Sequence, residues 1–457
     1  MRFLQLKFRE LFQDKQFYKN LFTIAVPIML QNLVNSFVNM VDTVMIGRLG
    51  TVEIAAVGLG NQVFFFFNII LFGICSGGAI FTAQFWGKHD IQGIRKNTGL
   101  CLILNTTVAI IFTSLILIMP EKIIGLYSRD PAVIEAGTGY LRTLAPSFIP
   151  FGISFVFVVT LRSVEKVRLA MVTTVIALSI NIVLNYLFIF GAGPIPAMGV
   201  SGAALATVIA RFSELTIIVT VSYIKGYAPA GNLRELMSFS SSFVARFFRI
   251  EMPVIINETL WSLGITLQNV IIARTSTDAI AAHNIASTFS QLTWVVFMGL
   301  GNGVAVLIGK KIGEGAEKTA REYAYRITVF SVLLGAGTAI ILFSLSGLIP
   351  FIFKVNPRVL SYTSAMFIII CCVYPFRAFN QSMVVGICRA GGDTVFCAVF
   401  DLVFMWLLTL PAAATASFVF HAPVWLIYLC VCSEDVFKII PGLWRLKSGR
   451  WLHNVTE

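Results

Sequence analysis

The chain has 457 residues, 57% of them hydrophobic and 12% charged, about half the charged share of an ordinary soluble domain. So few charges leave a soluble surface uncovered, and so much hydrophobicity excludes a disordered chain. The net charge of +12 comes in small basic groups between apolar stretches, as in loops facing anionic lipid, with no basic stripe or aromatic platform for nucleic acid.

The remaining class is an all-α polytopic membrane protein. A span needs roughly 20 apolar residues, and apolar runs broken by charge, Gly or Pro predict twelve of them. In chain order they cover 20–47, 53–86, 94–119, 131–160, 167–190, 199–224, 245–273, 279–309, 319–348, 359–387, 394–419 and 422–444. The first run is too long for a cleavable signal and acts as a signal-anchor. The eight Cys form no CxxC pair and read as small core residues. No GxxxxGK[ST], GxSxG or HExxH element occurs, so ATP-driven transport and the common hydrolase chemistries lose support. No cofactor is expected, and the chain is expected not to be an enzyme.

Of the 34 Lys and Arg, 24 fall in the N-terminal tail, the even-to-odd connections and the C-terminal end, Arg162, Arg389 and Lys438 among them. Six fall on the opposite side, and Arg142, Arg211, Arg326 and Arg377 lie inside spans. This split predicts both termini in the cytoplasm and a multi-pass protein of the inner (plasma) membrane.

The chain repeats itself. A shift of 226 positions aligns Pro27 with Pro253, Arg48 with Arg274, Ala55-Ala56 with Ala281-Ala282, Gly73 with Gly299, Gly77 with Gly303 and Gly87 with Gly313. Each copy holds an even number of spans, so the copies are parallel. They form two six-helix bundles related by a pseudo-two-fold axis along the membrane normal, a plan common among secondary transporters. The expected organisation is a cytoplasmic tail at 1–19, an N-terminal bundle at 20–224, a cytoplasmic linker at 225–244, a C-terminal bundle at 245–445 and a cytoplasmic tail at 446–457.

Ionisable groups at bilayer depth are costly and are functional candidates by default. Asp42 lies about 22 Å beyond Pro27 along the first span, in its outer half. Asn181 and Asn185 are four apart on the fifth span, on one helical face and at matching depth. A carboxylate with amide oxygens suits a sodium ion or a tuned proton site, whereas a plain helix-helix hydrogen bond is the bland alternative. Glu258 sits near the midplane of the seventh span, and Asp401 nearer the cytoplasmic end of the eleventh. Under the repeat Asp42 meets Gln268 and Glu258 meets Asn32, so the copies are not chemically equivalent. Arg211 with Glu214, and Glu434 with Asp435, read as structural. No His stands at metal spacing, and no metal is expected beyond Na+ at Asp42, Asn181 and Asn185.

The segments VDTVMIGRLG at 41–50, NIVLNYLFIFG at 181–191, GVSGAALAT at 199–207 and CRAGGD at 388–393 resemble the MATE family, the multidrug and toxic compound extrusion transporters. The likeness covers nearly the whole chain. It implies a V-shaped, two-lobed antiporter that exports amphipathic, cationic organic compounds by alternating access in exchange for Na+ or H+. Asp42 matches the family's first-helix coupling acid, Asn181 and Asn185 its fifth-helix polar pair, and Thr207 a sixth-helix hydroxyl. Glu258 matches a seventh-helix acid of the NorM-like branch and, with Asp401, is expected at a substrate or second ion site. That branch also has an acid in span ten, where Ala378 stands here beside Arg377. The fourth-to-fifth loop, LRSVEK, lacks the usual glycine. Coupling is therefore expected at the N-terminal cluster. The expected partners are a small organic molecule and membrane lipid, with no nucleic acid, in a monomer. A lipid-linked precursor flippase of the same superfamily is the alternative and would line its cavity with Arg. A membrane-embedded enzyme would need a His, Asp or Ser constellation that is not visible.

Overall fold

The computed structural model describes residues 14–191, 193–347, 350 and 355–457, so Arg2, Lys7, Arg9 and Lys354 of the charge count lie outside the described residues. Long helices follow one another in chain order. They are α1 (Lys15–Gly47), α2 (Thr51–Gly87), α3 (Ile91–Ile118), α4 (Pro131–Ser163), α5 (Val167–Phe190), α6 (Gly199–Ile224), α7 (Ser241–Thr275), α8 (Thr277–Gly313), α9 (Glu317–Ser346), α10 (Pro357–Cys388) and α11 (Thr394–Phe418). The last crossing, α12, comes in three pieces, Val424–Cys432, Glu434–Phe437 and Ile439–Ser448. An isolated bridge joins Gly392 and Leu452. Ten of these helices are long and apolar enough to cross a membrane. Of the two others, α12 is broken into pieces too short to span singly, and α7 carries several charges. α7 holds Arg246, Arg249, Glu251 and Glu258, and α12 holds Glu434, Asp435 and Lys438. The chain is thus an all-α multi-pass membrane protein.

Local chemistry explains the helix ends. Asp90, Ser276 and Asn356 cap α3, α8 and α10 by accepting from the backbone N–H of Gly93, Ala279 and Val359 at 2.8, 3.0 and 2.8 Å, which satisfies donors a helix start leaves open. Gly191 ends α5 at φ +76°, a conformation that favours glycine. Pro27 and Pro253 lie inside α1 and α7, where each removes one helical hydrogen bond and permits a bend.

The chain forms two compact units. One comprises 30–251, and the other comprises 1–29 with 252–457. In the first, α2, α3, α4 and α6 surround a core of Phe67, Leu71, Leu144 and Phe148. The Phe67 ring lies 4.7 Å from Phe148 and 5.2 Å from Phe112. Its neighbours Phe65 and Phe66 are each 55% exposed, so the Phe run at 64–67 divides between core and outer surface. In the second, α8, α9, α10 and α12 enclose Phe297, Met366, Phe367 and Tyr374. Five Cys are buried, whereas Cys372 is exposed and departs from the core reading.

Small residues set the closest helix contacts. At Gly335 of α9, a Cβ would stand 2.6 Å from the Tyr374 carbonyl oxygen and 2.8 Å from Pro375 Cα on α10. Gly337 has open space instead. Gly335→Val is therefore expected to destabilise the chain by about 1–3 kcal/mol, and Gly337→Ala to leave it unchanged. Thermal unfolding in detergent checks both, and equal melting temperatures for the two variants would contradict the close approach.

Candidate functional site

α1 carries Asp42 into the first unit three turns after Gln31. Gly202, Ala203, Ala204 and Ala206 line the buried side of α6 and let it approach α5 closely. A Cβ at Gly202 would come within 2.5 Å of the Phe188 carbonyl oxygen. That approach aligns Thr207 with the buried face of α5, where Asn181 and Asn185 are 5% and 1% exposed.

The four residues singled out in the sequence meet there. Asn185 Nδ2 donates to Asp42 Oδ1 at 2.6 Å and lies 3.3 Å from Asn181 Oδ1. Asn181 Nδ2 donates to Thr207 Oγ1 at 3.3 Å, and that hydroxyl donates to the Ala203 carbonyl at 3.0 Å. Asn185 Oδ1 is buried with no hydrogen-bond partner. The result is an acceptor-rich pocket of one carboxylate and two amide oxygens, with an orphan acceptor that a cation or a bound proton donor would satisfy. Arg211, one turn beyond Thr207, is engaged elsewhere. It pairs with Glu214 at 2.8 Å and lies 4.7 Å above the Phe151 ring.

The acids of the second unit are held differently. Glu258 accepts from Arg389 Nη2 at 2.8 Å, and the Arg389 residue is only 3% exposed. Asp401 accepts from Lys438 Nζ and from Asn257 Nδ2, each at 3.1 Å. Lys438 also lies 3.5 Å from Glu434, and Arg377 pairs with Asp435 at 2.9 Å. Arg389 and Lys438, read in the sequence as bases of the connections between spans, are both buried among acids. Wide π-helical turns at Ser382–Cys388 and Phe404–Thr409 adjoin this cluster, a local widening often found at functional positions. Sequence reasoning missed Arg389, Lys438 and Asn257. An acid inside a span demands a partner, and that demand was the signal for both bases. His283 bonds Asn269 at 2.9 Å and Ser287 at 3.2 Å. Among the described residues, no group of three or more His, Cys, Asp and Glu is arranged to hold a metal ion.

Two compact helical units joined by proline-containing helices, one of them holding a carboxylate–amide pocket at membrane depth, define a secondary-transporter type of membrane protein. The MatE family model matches residues 27–187 and 253–436, and the chain belongs to that family. It is 25% identical over 439 residues to the probable multidrug resistance protein NorM of Thermotoga maritima, covering 95% of this chain and 93% of the relative. It is also 25% identical over 423 residues to the protein of that name from Pasteurella multocida, covering 90% and 89%. Among solved structures it is similar to the Vibrio cholerae MATE transporter VcmN in the bent form, with a TM-score of 0.85 at 16% identity over 96% of this chain and 99% of that one.

The buried pair predicts an asymmetric mutational cost. Arg389→Leu leaves the Glu258 carboxylate without its base and is expected to cost about 3–5 kcal/mol, whereas the double variant with Glu258→Leu recovers most of that loss. Unfolding of both variants in detergent tests this, and an additive double variant would show that the two side chains act independently.

Proposed function

We propose that this chain is a multidrug exporter of the MatE family that couples extrusion of amphipathic organic cations to inward movement of Na+ or H+ at Asp42. The orphan, buried Oδ1 of Asn185 beside the Asp42 carboxylate supports this reading most directly. An exchangeable cation, or a proton on Asp42, completes the pocket. Asn181, Asn185 and Thr207 supply oxygens or fix their direction. Cation occupancy drives alternating access only if affinity differs between the two states. The relatives' name, multidrug resistance protein, supplies the substrate class. Glu258 and Asp401, read in the sequence at a substrate or second ion site, are each paired with a base, Arg389 and Lys438. The segregation of basic residues supports an inner-membrane protein with both termini in the cytoplasm.

A flippase for a large anionic headgroup would present unmatched arginines. Each of the four arginines read inside spans has an acid beside it, namely Glu121 for Arg142, Glu214 for Arg211, Asp14 for Arg326 and Asp435 for Arg377. That matching favours the exporter.

The proposal is tested by efflux of ethidium, an amphipathic cation, from proteoliposomes under a sodium gradient alone and then a proton gradient alone. The wild type is expected to respond to one of them. Asp42→Asn is expected to abolish coupled efflux, and Asn185→Ala to weaken it roughly tenfold or more, the scale of a lost charge-assisted hydrogen bond. Wild-type coupled efflux by Asp42→Asn would remove the proposed role of this carboxylate.

A further inference from the structure

The boundary between the two compact units cuts two helices at equivalent places. α1 contributes residues up to Met29 to one unit and from Leu30 onward to the other, and α7 is divided between Glu251 and Met252. Pro27 and Pro253, equivalent under the 226-residue shift, stand within two residues of these divisions. One turn beyond each proline is a buried amide, Gln31 at 3% exposure and Asn257 at 2%. They too are equivalent under the shift.

Both amides are held by charged networks inside the unit that the outer half of their helix belongs to. Gln31 Oε1 accepts from Arg162 Nη2 at 2.6 Å, and Gln31 Nε2 donates to Thr174 Oγ1 at 2.6 Å. The Thr174 hydroxyl donates to Glu214 Oε1 at 2.8 Å, and Arg211 donates to the other oxygen of Glu214 at 2.8 Å. These bonds run from α4 through α1 and α5 to α6. In the other unit Asn257 donates to Asp401, which Lys438 also holds, and Lys438 reaches Glu434. On the inner side of Pro27, α1 seats Ala25 and Met29 on Gly303 and Gly299 of α8, where a Cβ at Gly303 would come 2.9 Å from that of Ala25. Glu251 of α7, equivalent to Ala25, seats likewise on Gly77 of α2, equivalent to Gly303.

We infer that Gln31 and Asn257 are positioning residues. Each locks the outer half of its proline-containing helix to one unit, so that bending is confined to the turn at Pro27 or Pro253. A helix fixed on both sides of a missing hydrogen bond flexes there and not elsewhere. Through Gln31 the same lock holds Asp42, three turns further along α1, in register with Asn185. That last consequence rests on the proposed coupling role of Asp42, whereas the bending itself does not.

The test reads the bend directly. In a cysteine-free background, spin labels at Lys19→Cys and Thr43→Cys report the distance along α1, and labels at Ser242→Cys and Thr266→Cys report it along α7. The unaltered helices are expected to give narrow distance distributions. Gln31→Met is expected to broaden the α1 distribution alone, and Asn257→Leu the α7 distribution alone. Adding Pro27→Ala to Gln31→Met, or Pro253→Ala to Asn257→Leu, restores a narrow one, because the lock acts through the hinge. Ethidium efflux by Gln31→Met is expected to lose roughly tenfold in maximal rate at unchanged KM, the scale of one hydrogen bond to a charged group. Unchanged distributions in both amide variants overturn the inference, as does broadening that persists without the proline. If Gln31→Met does not fold, the α7 pair decides alone. Failure of the Asp42 reading shows separately, as normal coupling in Asp42→Asn with these distributions unaffected.

Discussion

A carboxylate in the hydrocarbon layer costs several kilocalories per mole unless something receives its charge, and the identity of that something organises this protein. Asp42 is met by the amide of Asn185, a neutral donor that shares a hydrogen bond but cancels no charge. Glu258 and Asp401 are met by Arg389 and Lys438, which do cancel it. The residues around each acid follow from this difference. Near Asp42 the neighbours are further amides and a hydroxyl, and near Glu258 and Asp401 they are an alternating set of acids and bases. A single repeated architecture therefore houses two kinds of polar interior.

The repeat makes the divergence legible as substitution at matched positions. Asp42 corresponds to Gln268, and Gln31 to Asn257. The amides one turn beyond the prolines have kept their role while their partners changed. In one unit a threonine relays between the amide and a glutamate held by an arginine. In the other an aspartate takes the amide directly and leans on a lysine. In both copies the amide one turn beyond the proline meets a charged network of its own unit, and the charges differ between the copies.

Much of this was legible in the sequence, for identifiable reasons. Long apolar runs are strong signals, and the helices begin and end within a few residues of the predicted spans, as at Val167–Phe190 and Gly199–Ile224. Asp42, Asn181 and Asn185 were found by depth and by four-residue spacing, both of which survive folding because a helix maps sequence onto height and face. Thr207 came only through the family resemblance. The pairing of Arg389 and Lys438 was missed because a base near a span's end reads the same whether it faces headgroups or turns inward, and long basic side chains reach either way. Gln31 and Thr174 had no signal at all. Neutral residues in an apolar run become significant only when four separate helices set them together, and that is tertiary information.

The matched charges of the second unit also bear on the exchange proposed at Asp42. An ion-coupled change of state needs a site whose occupant comes from solution and leaves again. Arg389 and Lys438 are covalently part of the unit that holds Glu258 and Asp401, so their charges move with that unit and cannot be traded. Removing either leaves a buried charge uncompensated. Asp42 takes its hydrogen bond from an amide instead. Its hydrogen-bond partner carries an orphan acceptor, and the nearby Arg211 is committed to Glu214. Of the three acids, it is the one that meets an amide rather than a base. A difference in its occupancy between states is a difference in free energy that an antiporter can use.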